Sequence, residues 1–188
     1  SAPTIKAEGG KPMMADNSAV KFSSSVDETP YLESVSSPDN PYTLYDDADL
    51  PSSYTFTDKP VTGTDGIVKI TNYDGVSYNY IITDENLTSV TVSSDVPYMV
   101  TLSDVTINSA DTPALILKGD GKCFLNLRGI SKLSDTADNS KKGVITAESD
   151  LIITGDGSLS VTASKKHGLK IDGVLRILSG SITVTTTK

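Results

Sequence analysis

The sequence predicts an all-β fold, a parallel β-solenoid of stacked coils from about Tyr98 onward. Three observations carry that prediction. Short runs alternate apolar and polar residues, Gly, Asp and Ser fill the breaks between runs, and the whole pattern recurs. In the clearest pair of repeats, Gly143 and Gly168 lie 25 residues apart, Leu151 and Leu175 lie 24 apart, and Leu159 and Ile182 lie 23 apart.

A looser, earlier copy runs through Ala114-Leu115-Ile116-Leu117, a Gly119-Asp120-Gly121 turn, and Cys123 to Leu127. No stretch shows a sustained apolar stripe at helical spacing, so a helix-rich fold is set aside. One such coil cannot bury its own apolar face, whereas stacked coils share a continuous core and pair their strand edges. The phasing points Leu151, Ile153, Leu159 and Val161 inward against Leu175, Ile177, Ile182 and Val184, and it turns Ile152 and Arg176 outward.

Residues 1–60 are rich in Ser, Pro, Asp and Asn and read as an irregular arm or lead-in, whose Tyr31, Tyr42, Tyr45 and Tyr54 offer rings to pack on a larger body. Residues 61–188 form the solenoid. Within it 61–97, with strand-like runs at Gly66–Ile70, Ser77–Ile82 and Ser89–Val92, serve as an N-terminal cap or first coils. A solenoid end exposes unpaired strand edges. No cap is legible after Val184, and the chain stops inside the strand-like run Ser181–Thr187, so the natural chain is expected to continue past Lys188.

Twenty-four acidic against 16 basic residues give a net charge of -8, which opposes nucleic acid and anionic membranes as partners. No apolar run reaches the roughly 18 residues of a membrane span, so membrane insertion is not expected. Cys123 is the only cysteine, which excludes an internal disulfide and a thiolate metal site; alternation with Leu125 and Leu127 makes it a buried thiol. His167 is the only histidine and sits in the Ser164–Gly168 turn, so histidine triads and zinc sites lose support.

The pattern Leu151-x-Ile153-x-Gly155-x-Gly157-x-Leu159-x-Val161, followed by the Gly168 turn and Leu175-x-Ile177-x-x-Gly180-x-Ile182-x-Val184, resembles the bacterial secreted carbohydrate-binding β-helix family related in fold to pectate lyases. Val100–Ile107 and the stretch from Leu125 through Gly129 to Asp135 match that family's opening coils, so the resemblance covers about residues 98–185. It implies a right-handed parallel β-helix, secretion to the cell surface, calcium binding, and affinity for cell-wall polysaccharides including acidic ones.

Calcium takes about six to eight oxygen ligands, and stacked coils can supply them as turn carboxylates one above another. The candidates are Asp135, Asp138, Asn139, Asp150, Asp156 and Asp172, of which Asp156, inside Gly155-Asp156-Gly157, reads more readily as a plain turn residue; Asp150 and Asp172 occupy comparable corners of consecutive coils. Ordinary solvated turn aspartates are the alternative. Arg128, Lys170 and Arg176 are expected to project outward on strands, where they offer a basic strip for uronate carboxylates; ordinary solvated surface charge is the alternative.

Aromatics are scarce, with no Trp, and Phe124 is expected to be exposed, which argues against a flat stacking platform. Three function classes follow. The first is a non-catalytic extracellular protein that binds polysaccharide, with calcium as a candidate aid. The others are a structural or adhesin stalk and a calcium-dependent polysaccharide lyase, although no clustered acid-base set stands behind the last.

Overall fold

The computed structural model describes residues 4–8, 20–22, 50–136, 143–164 and 167–186. Two strands come from the lead-in, β1 (Thr4–Glu8) and β2 (Val20–Phe22), and β3 (Thr57–Val61) opens the body. The chain then winds about five times past three sheets. The first coil holds β4 (Ile67–Asn72) and β5 (Tyr78–Ile82), and Leu87 bridges to Ile107 where a third strand would lie. Then come β6 (Ser89–Ser94), β7 (Tyr98–Ser103) and β8 (Thr106–Ser109), followed by β9 (Leu115–Lys118), β10 (Cys123–Arg128) and β11 (Ile130–Asp135). The fourth coil is β12 (Gly143–Ala147), β13 (Leu151–Gly155) and β14 (Ser158–Ala163), and the fifth is β15 (His167–Ile171), β16 (Leu175–Ile177) and β17 (Ser181–Thr186).

The first sheet runs β4-β6-β9-β12-β15, the second β3-β5-β7-β10-β13-β16-β2, and the third β8-β11-β14-β17-β1. Every pairing between these strands is parallel, and among the described residues there is no α-helix. Residues 61–97 thus contribute β4, β5 and β6 to the same sheets as the later coils.

Register follows the inward apolar pairs. Leu151 lies beside Leu175 and Leu159 beside Ile182, as the repeat spacing indicates. Gly143, however, pairs with His167 and not with Gly168. A one-residue slip would turn Ile145 and Ala147 away from Leu169 and Ile171, and burying these side chains outweighs matching two glycines. The interior is filled from all three sheets by residues such as Val92, Leu102, Leu115, Leu125, Ile145, Ile153 and Val161, all fully buried.

Of the lead-in, Thr4–Glu8 and Val20–Phe22 form strands, β1 pairing with β17 and β2 with β16 in the fifth coil. One expectation is corrected on the outer face of the second sheet, where Asp58, Asn79, Met99, Phe124, Ile152 and Arg176 stand in register. Phe124, Ile152 and Arg176 face away from the core yet are only 0%, 1% and 2% exposed. Tyr54 and Phe56 lay their rings on Phe124, at centroid distances of 5.4 and 5.5 Å. Tyr54 therefore packs on the body as expected; Tyr31, Tyr42 and Tyr45 lie outside the described residues.

Candidate functional site

The corner between the second and third sheets has to reverse the chain within a few residues, and glycine makes that possible. Gly155 sits at φ +92°, and a Cβ there would lie 2.3 Å from the Leu127 carbonyl oxygen and 2.6 Å from Asn126 Oδ1. Gly129, one coil earlier, sits at φ +65°, with a carboxylate oxygen of Asp104 where its Cβ would go. Backbone bonds lock the two corners together: Gly157 N donates to Leu127 O at 3.0 Å and Ser158 N to Gly129 O at 2.8 Å.

With side chains missing from consecutive corners, a cleft of about 320 Å³ remains, lined by Asn126, Leu127, Arg128, Gly129, Gly155, Asp156 and Gly157. Arg128 and Asp156 are exposed at its rim, and Ile130, 63% exposed, follows directly on Gly129. Asn126 is held by a relay of side chains across four strands. Its Nδ2 donates to Thr101 Oγ1 at 3.1 Å, the Thr101 hydroxyl donates to Asn79 Oδ1 at 2.7 Å, and Asn79 Nδ2 donates to Asp58 Oδ1 at 3.1 Å. The relay sets the orientation of the Asn126 amide, with its carbonyl oxygen toward Gly155. The cleft therefore presents a guanidinium, a carboxylate and an oriented amide around a floor of backbone, with an aliphatic side chain at its edge. Such a set donates to and accepts from closely spaced hydroxyls.

The three expected basic residues do not form one strip. Arg128 lines the cleft, whereas Lys170 lies on the outer side of the first sheet with its Nζ 3.4 Å from Asp172 Oδ1. Arg176 is buried on the second sheet's outer face. The acidic candidates separate as well. Asp135 is buried and its Oδ1 accepts from Ser164 N at 2.8 Å, while Asp150 Oδ1 accepts from Val174 N at 2.8 Å. Asp138, like Asn139, lies outside the described residues.

These aspartates belong to a wider device. Asp84 accepts from Gly63 N, Asp104 from Ile130 N and Glu148 from Gly119 N, so carboxylates at all three corners pin the backbone of an adjacent coil. Charge-assisted bonds of this kind are among the stronger hydrogen bonds. Among the described residues no group of three or more His, Cys, Asp or Glu converges to hold a metal.

Cys123 and Tyr98, side by side in β10 and β7, belong to the interior. Burial pushes the Cys123 thiol up to about 12 and Tyr98 well above its ordinary value, so the thiol stays protonated and inert. His167 is exposed at the start of β15.

Asn126 was missed at the sequence level because it reads as one more polar residue on an alternating strand, and Asp156 was weighed only as a cation ligand or a plain turn residue. The usable signal was the stacking of that turn on Arg128-Gly129 one coil away, visible once Leu127 is aligned with Gly155.

A family model described as "Carbohydrate-binding domain-containing protein" matches residues 64–188, which takes in all five coils and the cleft. No curated protein and no solved structure matches the chain.

Proposed function

We propose, on the premise that this chain belongs to the family of carbohydrate-binding domain-containing proteins, that the glycine-lined corner cleft is where it holds polysaccharide and that it does so without transforming it. The observation that carries this reading is the convergence of Arg128, Asp156 and the relay-held Asn126 on one cleft. A sugar ring offers adjacent hydroxyls that a carboxylate and an amide can bind in pairs, and Ile130 can meet its aliphatic face. Arg128 suits a uronate carboxylate, because the guanidinium fork binds a carboxylate in bidentate fashion.

A polymer is favoured over a single sugar because the glycine corner continues into the next coil. Gly180 stacks over Gly157, and Ser181 N donates to Gly157 O at 3.0 Å, so a ligand can run along the solenoid from Arg128 toward Gly180. Binding is favoured over hydrolysis because hydrolysis of a glycosidic bond uses two flanking carboxylates, and Asp156 is the single carboxylate among the cleft's lining residues. No calcium bridge enters the proposal. An extracellular or cell-surface setting, where such polymers occur, completes it.

Affinity electrophoresis through gels carrying neutral or acidic polysaccharides tests the reading. Retardation by at least one polymer is expected, weakened roughly tenfold or more in Arg128→Ala and in Asp156→Ala, since a hydrogen bond to a charged group is worth about 1.5–3 kcal/mol. Added chelator should change nothing. Equal retardation of wild type and both variants, or none on any polymer, would overturn it.

A further inference from the structure

The lead-in strands occupy the place of another coil. In the body, passing from the third sheet to the next strand of the second takes 21 residues from Ile130 to Leu151 and 17 from Ser158 to Leu175, positions in the same register rows as Thr4 and Val20. Thr4, beside Ser181 in the third sheet, and Val20, beside Leu175 in the second, are 16 residues apart. Both lead-in strands run parallel to their neighbours. Their apolar residues fall in register with the core-facing row: Ile5 with Ile182, Ala7 with Val184, Val20 with Leu175 and Phe22 with Ile177. Those four partners are at most 5% exposed, although they belong to the last coil. The chain nevertheless resumes at β3, at the opposite end of the seven-stranded second sheet, so β1 and β2 are supplied from a distance.

We propose that β1 and β2 act as a substitute coil, a cap added by strand pairing that keeps the edges of β16 and β17 from accepting strands of a second copy of this chain. Unpaired parallel edges template exactly such additions, and solenoid ends need a cap to stay soluble. The cap is specific because spacing, direction and apolar register all match a body coil. It is separate from the corner cleft and holds whether or not the cleft binds sugar.

Two experiments on the full chain test it. Lys6 and Thr183 are register partners, and neighbouring strands lie about 4.7–4.9 Å apart, within the span a disulfide bridges. Under mild oxidation with oxidised glutathione, Lys6→Cys/Thr183→Cys should form an intramolecular bond in the monomer, with the buried Cys123 left out. Free thiols, or bonds found only between chains, would overturn the assignment. Ile5→Asp/Val20→Asp should convert the chain from monomer to a species whose mass in light scattering rises with concentration, and a synthetic peptide of residues 1–22 should restore the monomer. A double variant that stays monomeric at every concentration would overturn the capping role.

Discussion

The outer faces of the second and third sheets obey the same alternation and meet opposite fates. On the third sheet the outward residues Ile130, Lys132 and Thr162 are exposed, and Ser158, Ser160, Ser181 and Thr183 are half-buried. On the second sheet the outward Phe124, Ile152 and Arg176 are as buried as the core, with Tyr54 and Phe56 of the lead-in packed on Phe124. Strand period decides which way a side chain points. Whether that direction meets water is decided by another segment, here one 70 residues from Phe124 in the case of Tyr54.

The contrast can be broken most forcefully at its aromatic centre. Phe124→Ala should destabilise the fold by about 3–5 kcal/mol in urea unfolding, as removing a buried ring from the core would, whereas the equally outward Ile130→Ala should stay within about 0.5 kcal/mol. Equal effects at the two positions would erase the distinction between the faces.

Alkaline titration examines the interior beneath the covered sheet. The folded Cys123 thiol titrates at about 12 against an ordinary 9.0, and Tyr80 is likewise raised to about 12, mainly by burial. The native state keeps protons that the unfolded chain has lost, so this contribution is intact below about pH 9 and disappears as pH rises toward 12. Unfolding followed across that window should show falling stability, and Cys123→Ala should make the fall shallower.

A smaller loss is expected at a corner pin. Asp150→Ala leaves Val174 N without its acceptor and should cost about 1–3 kcal/mol, with no dependence on calcium. Least of all, Arg128→Ala should move stability by no more than about 0.5 kcal/mol while weakening polysaccharide binding, because Arg128 is exposed and lines the proposed binding cleft.

What could be read from the amino acids was whatever is settled within a coil or between adjacent coils. Leu151 with Leu175 and Leu159 with Ile182 follow from alternation and glycine corners, and buried Cys123 follows from its alternation with Leu125 and Leu127. Gly143 was misplaced by one residue because its identity with Gly168 is weaker information than the apolar pair Ile145 and Leu169. The burial of Phe124 was illegible, since nothing local says that Tyr54 and Phe56 lie on it, and Arg176 on an outward position reads as solvated charge. The corner aspartates were ambiguous for a chemical reason: a carboxylate in a turn looks the same whether it awaits a cation or an amide of the next coil. Of the cleft, Arg128 could be named from sequence, but its joining with Asn126 and Asp156 depends on the stacking of two glycine corners.

The most direct measurement of the central claim is an NMR titration of the isotope-labelled chain with an oligosaccharide cut from a polymer that retards it. Backbone amides of Asn126 to Ile130, Gly155 to Ser158 and Gly180 to Ser181 should shift in saturable fashion, while those of the first sheet and of the third sheet beyond Ile130, Ser158 and Ser181 stay still. Shifts confined to those other faces, or none at saturating ligand, would contradict the assignment of carbohydrate binding to this corner.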